Sequence, residues 1–403
     1  MLTRRGFAGW MTAAAATAAD WPQWRGPARD GRAPGAGLLR QWPAGGPPQL
    51  WRVDNLGAGF SSFSVAGGRL FTQTQKNGRQ WVVALDAATG KTLWETEAGD
   101  TFQERRGSGP RGTPTVDGET LYSLSADGTL VSIQAATGKV NWKLNILSKF
   151  DGAQIHWGLS ESPLVDGDRL FVTPGGPGKS VVALDKKTGR TLWAAGDGEA
   201  GYSSAIAFDF GGQRHLVVFT AKGVTGFNAA NGWVMWNYAK VANRTANIAT
   251  PLYRDGHVFV SSDYGTGCAL LKLTAAGDRV NASEVYFSRE MRNHYCSSVL
   301  LDKHLYGFSS GVLTAMDFLS GEVAWRDRSV GKGQLILADG LLYLQGEEGT
   351  VALAEATPTA YKEISRFEFG RGEYPLWTLP VIAGGRLYLR DQSKLVCYNI
   401  TRG

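Results

Sequence analysis

Much is scarce in this chain of 403 residues, and each scarcity narrows its chemistry. Cysteine occurs three times, at Cys268, Cys296 and Cys397. The count is odd and no CxxC spacing occurs, so neither a disulfide framework nor a zinc site is indicated, and no metal site is assigned. These thiols read as small buried hydrophobes. Charged residues make up only 19% of the chain, and the formal net charge of +6 is spread thinly, with no block of Lys and Arg. That excludes a dedicated nucleic-acid binder. No GxSxG, HExxH, P-loop or dinucleotide fingerprint occurs, so the common hydrolase and nucleotide-binding signatures are missing. No stretch approaches the roughly 20 apolar residues that span a bilayer, and no transmembrane segment is expected.

Glycine and tryptophan, in contrast, are abundant, at 53 and 14 residues. Many glycines with many aromatics indicate short strands joined by tight turns. The N-terminus reads as an export signal over residues 1–19. "TRRGF" places Arg4 and Arg5 before an Ala-rich, weakly apolar run, and small residues at Thr17, Ala18 and Ala19 suit a signal peptidase. The arginine pair followed by Gly and Phe resembles a twin-arginine signal, with a general secretory signal as the alternative. Cleavage after Ala19 lowers the net charge from +6 to +4 and leaves residues 20–403 as one expected domain. No cysteine lies beside the signal, so no lipid anchor is expected there.

The segment "ALDAATGKTLW" (84–94) returns as "ALDKKTGRTLW" (183–193) and, more loosely, as "SIQAATGKVNW" (132–142), "GFNAANGWVMW" (226–236) and "AMDFLSGEVAW" (315–325). A degenerate copy surrounds Gly277. The turn glycines stand at 90, 138, 189, 232, 277 and 321, a period near 45 residues. Strands in every unit at that period mark a β-propeller. Each unit opens with a strand, a tight turn and a second strand, as in "PTVDGETLYSL", and eight such openings occur. The eighth unit lacks its outermost strand, which "PPQLWRV" (47–53) near the N-terminus supplies. The expected fold is therefore all-β: an eight-bladed propeller of four-stranded blades, its ring closed by the N-terminal strand on the C-terminal blade. Within the repeat, Asp86 and Thr89 bond the turn, Gly90 takes the left-handed position, and Trp94 lies on the outermost strand. Trp51, Trp94, Trp142, Trp193, Trp236 and Trp325 are thus expected to dock between neighbouring blades.

Blade topology puts the glycine turns on one face. The second-to-third turns and the connections between blades fall on the other, where the long polar segments lie. Those segments direct Arg105, Arg106, His156, Trp157, Glu161, Arg244, Asn247, Arg292, His294, Arg328, Lys332 and Trp377 toward one mouth. Cations and aromatics around a funnel suit an anionic or planar ligand, or an acidic peptide segment. Within "QIHWGLSES", His156 and Glu161 offer an imidazole and a carboxylate, and acid-base work requires both within reach of a substrate. The plainer reading has Trp157 capping the core and Glu161 bonding backbone amides. No residue is assigned as catalytic.

The pattern A-x-D-x-x-T-G-x-x-x-W resembles the tryptophan-docking repeat of pyrroloquinoline quinone (PQQ) propellers. "DWPQWRGPARDG" (20–31), "WGLSESPLVDGD", "KVANRTANIATP", "YGTGCALLKL" and "LYLRDQSKLVCY" are similar to segments of secreted bacterial PQQ-binding-like repeat proteins. That family holds quinoprotein dehydrogenases, with PQQ and Ca²⁺ above the propeller, and non-catalytic scaffolds such as the propeller lipoprotein of outer-membrane barrel assembly. The resemblance to the dehydrogenases implies a vicinal Cys-Cys pair stacked on the quinone. The three cysteines here are isolated, the chain has little room for long covering insertions, and no PQQ or calcium residue is carried over. The expectation is an exported, non-catalytic, monomeric propeller, periplasmic or secreted, that binds a periplasmic protein or a small anionic ligand through its loop-rich face. The alternative is a PQQ-dependent quinoprotein oxidoreductase of the alcohol or sugar dehydrogenase kind.

Overall fold

The computed structural model describes residues 20–35, 37–277 and 279–402, so the expected export signal, with Arg4 and Arg5, lies outside the described residues. Eight antiparallel sheets form the blades of a β-propeller. Blade 1 consists of Ser64–Ala66, Arg69–Lys76, Arg79–Asp86 and Thr92–Asp100, in that order from the centre outward. Blades 2 to 7 follow at 115–145, 164–195, 206–238, 252–288, 299–327 and 333–368. Blade 8 takes Val381–Ala383, Arg386–Asp391 and Lys394–Asn399 from the C-terminal end, and Gln49–Val53 from the N-terminal end as its outer strand. Trp51 stands opposite Cys397 in that pairing, so the ring closes as the repeat pattern predicts.

Burial explains the strand sequences. Second and third strands are covered on both sides by neighbouring blades and read as continuous apolar runs, such as Val82–Leu85 in blade 1. Outer strands alternate, because only one side meets a neighbour. All three cysteines are free and buried.

The repeated turn unites two functions in one glycine. Asp86 Oδ1 accepts hydrogen bonds from the Ala88 and Thr89 amides and from the Thr89 hydroxyl, which orders the turn. Gly90 follows at φ 73°, and a Cβ there would stand 2.6 Å from the Trp51 ring. The glycine is therefore both the left-handed residue and the floor beneath the preceding blade's indole. Each such indole donates to a carbonyl in the next blade: Trp51 to Ala87, Trp94 to Ala135, Trp142 to Lys186, Trp193 to Ala229 and Trp325 to Thr357, at 2.8–3.2 Å. Tyr286 replaces Trp in blade 5, its hydroxyl 3.1 Å from the Phe318 carbonyl and its ring over Gly321.

Trp236 is different. Its ring is buried with the core shared by blades 4 and 5, but it lies across Gly226 of its own blade, and its indole N–H has no partner. The third and fourth strands of the next blade, blade 5, run ten residues each, Gly267–Ala276 and Arg279–Ser288.

The ring is also fastened through its centre. Residues 21–35 and 37–39 between them touch every blade. Trp21 bridges Val65 of blade 1, and the Pro22 carbonyl accepts from the Val116 amide of blade 2. Arg29 donates to the Ser162 and Pro163 carbonyls before blade 3 and to the Ala205 carbonyl before blade 4. Trp24 Nε1 bonds Thr250 Oγ1 before blade 5, and Arg25 bonds the Ser297 and Ser298 carbonyls before blade 6. Arg32–Ala33 pairs in parallel with Leu337 and Ala338 as a fifth strand of blade 7, and the Leu39 amide bonds the Ile400 carbonyl beside blade 8. Arg25 and Arg29 are fully buried, and burial lowers their pKa values to about 10 and about 9. Their remaining donors bond within the central segment, Arg29 Nε to Gln23 Oε1 and Arg25 to the Arg29 and Asp30 carbonyls. Asp20 emerges among the short turns that carry Gly67 and Gly118.

Candidate functional site

On the loop-rich face the centre of the ring opens into a cavity of about 140 Å³. Its lining comes from every inter-blade connection except that between blades 6 and 7, with Tyr264 added from a second-to-third turn. Trp24 of the central segment also lines it, so the channel ends blind.

Aromatic rings form most of the wall. Phe60, Trp377, Tyr295, His294 and Tyr264 succeed one another at centroid spacings of 5.4, 5.5, 5.6 and 5.1 Å. Trp157 and Tyr202, 5.6 Å apart, form a second group. The Tyr264 hydroxyl lies 2.8 Å from His294 Nε2, while His294 Nδ1 is buried without a partner. Burial, then the positive charges of Lys332 and Arg106, depress the His294 pKa to about 4, so the imidazole is neutral at neutral pH. Burial and the Glu347 carboxylate hold the Tyr295 phenol well above its ordinary value.

Two arginines give the cavity its sign. The Arg111 guanidinium lies between Phe60 and Phe102, 5.5 and 5.1 Å from the ring centroids. It bonds the Gly107 and Gly109 carbonyls, and burial lowers its pKa to about 10, so it stays charged. Arg106 is exposed at the mouth. Among the described residues neither arginine has a carboxylate within ion-pair distance, and no carboxylate lines the cavity. Glu347 stands behind the wall, bonded to Trp377 Nε1 at 3.1 Å and 3.8 Å from Lys332.

Of the twelve residues expected at the mouth, Arg106, Trp157, His294 and Trp377 line the cavity. Lys332 stands behind it, its ammonium 5.3 Å from the Tyr295 ring centroid. His156 is exposed and packs edge-on against Trp157, while Arg105, Arg244 and Arg328 are exposed outside the lining. Glu161 does not reach the mouth. It is 3% exposed, and its carboxylate accepts from the Thr173 amide and hydroxyl, an internal fastening of blade 3. Burial raises its pKa to about 7, against the opposing pull of Arg29. His156 and Glu161 therefore form no acid-base pair facing a substrate. Asn247 is likewise buried, accepting from the Asn243 amide and donating to the Thr220 carbonyl. Arg292 is half-buried, outside the lining, and its Nε has no partner. The residues that sequence reasoning missed are Trp24, Phe60, Arg111, Tyr202, Ser160, Ser204, Ile248, Tyr264 and Tyr295. An aromatic in nearly every connector was the available signal.

The family model described as outer membrane protein assembly factor BamB matches residues 44–105 and 78–327. The chain belongs to this family. BamB of Yersinia pestis is 23% identical over 282 residues, a match that covers 62% of the present chain and 64% of that relative. The chain thus spans less than two thirds of that relative's length. The crystal structure of BamB from Moraxella catarrhalis superposes with a TM-score of 0.63 at 16% identity, covering 85% of this chain and 95% of that one. A europium-containing methanol dehydrogenase gives a TM-score of 0.55 at 11% identity, covering 94% and 90%. At these identities the two structures share the propeller fold with this BamB-family chain, and a fold alone does not select an activity.

Proposed function

We propose that this protein is an exported, non-catalytic propeller that holds a protein partner or a small anionic ligand on its loop-rich face, in the periplasm or outside the cell. The blind cavity supports this reading most directly. Its aromatic wall, two arginines without carboxylate partners and lack of lining acids suit recognition of an electron-rich or anionic group. Its one histidine is held neutral with its Nε2 on the Tyr264 hydroxyl, and among the described residues no serine or cysteine side chain is bonded to it. The relatives are named for outer membrane protein assembly, and by that likeness the proposed macromolecular partner is a protein engaged in such assembly.

The dehydrogenase-like fold raises the question of calcium-bound PQQ, and the residues present do not fit it. Calcium takes six to eight oxygen ligands, carboxylates foremost. The cavity lining supplies none of those carboxylates, and no cluster of three His, Cys, Asp or Glu suited to a metal occurs among the described residues.

Two measurements test the proposal. Purified residues 20–403 supplied with PQQ and Ca²⁺ should show no dye-linked alcohol oxidation; turnover that chelation abolishes would overturn the non-catalytic reading. Photo-reactive side chains placed at Arg105 or Arg328 in cells should yield protein adducts that the same probe at Gly67 or Glu119, on the short-turn side, does not. Equal adducts from both sides would remove the assignment of binding to the loop-rich face.

A further inference from the structure

The cavity's size and chemistry together restrict its occupant. About 140 Å³ is the volume that accommodates a single benzene-sized ring. Aromatic rings surround that space on two sides, the arc from Phe60 to Tyr264 on one and Trp157 with Tyr202 on the other. Offset or edge-on contact with a planar guest is the favoured geometry for such walls. The floor, Trp24, has its N–H bound to Thr250 and presents no free donor. Hydroxyls of Ser160, Ser204, Tyr202, Tyr264 and Tyr295 also line the cavity, and its charged recognition is confined to Arg106 and Arg111. Arg111 bonds two carbonyls through its two terminal nitrogens, which leaves part of its five-donor fork open. Arg106 has no side-chain bond to any described residue.

The carboxylates nearest this pair are already committed or set back. Glu347 bonds Trp377, and Asp263 accepts from Ser310. Glu104 accepts from the Arg106 amide and acts on Arg111 only through space. A ring-sized, largely aromatic space with two arginines and no lining acid selects against cations. It favours a flat ring bearing one negative group.

We propose that the cavity binds a free monocyclic aromatic carboxylate, its ring among the aromatic walls and its carboxylate on Arg106 and Arg111. This deepens the binding reading above and rests on it. The geometry also sets selectivity. A neutral aryl alcohol keeps the ring contacts and loses the charge-assisted bonds. A saturated cyclic acid keeps the charge and loses the flat face.

Titration calorimetry on purified residues 20–403 tests this with 4-hydroxybenzoate as the probe. We expect saturable one-to-one binding, with benzyl alcohol and cyclohexanecarboxylate each at least about tenfold weaker. Arg106→Ala, a change at an exposed residue without side-chain bonds, should weaken 4-hydroxybenzoate by about tenfold or more. Arg105→Ala, its exposed neighbour outside the lining, should leave binding unchanged. Absence of saturable binding overturns the proposal, as does equal affinity for benzyl alcohol or an Arg106→Ala variant with unaltered affinity. If 4-hydroxybenzoate fails while photo-adducts still form from the loop-rich side, this inference falls and the broader binding reading stands.

Discussion

Of the three left-handed glycines in blade 2, the alanine variants of Gly118 and Gly138 separate backbone strain from tryptophan docking. Gly118, in the first-to-second turn, has φ 56° and nothing within 4 Å of an added Cβ. Gly138, in the third-to-fourth turn, has φ 77°, but its Cβ would stand 2.8 Å from Trp94 Cδ2. Both substitutions incur left-handed strain of about 1–2 kcal/mol, offset in part by a less flexible unfolded chain. Gly118→Ala should therefore cost about 1 kcal/mol. Gly138→Ala must in addition displace the indole from the Ala135 carbonyl, a bond of 3.1 Å, and from its contact with Phe71 at a centroid distance of 5.9 Å. Those losses add about 1 kcal/mol each, for a total near 3 kcal/mol. Urea unfolding followed by both far-UV circular dichroism and tryptophan fluorescence measures the gap. With a slope of about 3 kcal/mol/M, a 2 kcal/mol difference separates the two midpoints by roughly 0.7 M. In a Trp94→Ala background, Gly138→Ala should cost no more than Gly118→Ala. Indistinguishable midpoints for the two single variants, with unchanged slopes, would refute the argument that the glycine serves as the indole's floor.

Two further outcomes are expected. Arg29→Met should destabilise the protein by about 3–5 kcal/mol in the same unfolding assay, because buried carbonyls before blades 3 and 4 lose their donor; Arg29→Lys should recover little, since an ammonium cannot reproduce the planar fork. Glu161 has its pKa raised from 4.5 to about 7 in the folded state, so the native protein binds this proton more tightly than the unfolded chain. Its contribution is fully present below pH 4.5 and is lost as pH rises through about 7, a span of about 3 kcal/mol. Glu161→Gln should remove that fall from the stability–pH curve, and an unchanged slope between pH 4.5 and 7 would contradict the assignment.

The blades were legible in the sequence because their determinants are local. Asp86, Thr89, Gly90 and Trp94 fall within one short segment, and the same spacing recurs at Asp185, Thr188, Gly189 and Trp193. Trp236 was not legible, since it keeps the motif's spacing after Gly232 and yet its indole N–H has no partner among the described residues. The central fastening was hidden for a related reason. Nothing in "WPQWRGPARDG" announces that Arg25 and Arg29 will be buried by partners 133 to 273 residues away. Glu161 bonds the Thr173 amide, as its plainer reading has it, whereas Asn247, expected at the mouth, turns inward to backbone that only the folded ring brings near. The face that carries the cavity followed from blade topology. Which aromatics reach it depends on connector shapes that no periodicity encodes.

The route of residues 20–24 gives the molecule a direction. The chain starts its passage beside the turns of Gly67 and Gly118 and delivers Trp24 to the cavity floor on the opposite side. Any linkage made through the backbone ahead of Asp20 therefore joins the propeller at its back. A particle, a resin or a surface attached there leaves the mouth pointing away from the support, accessible to whatever diffuses past.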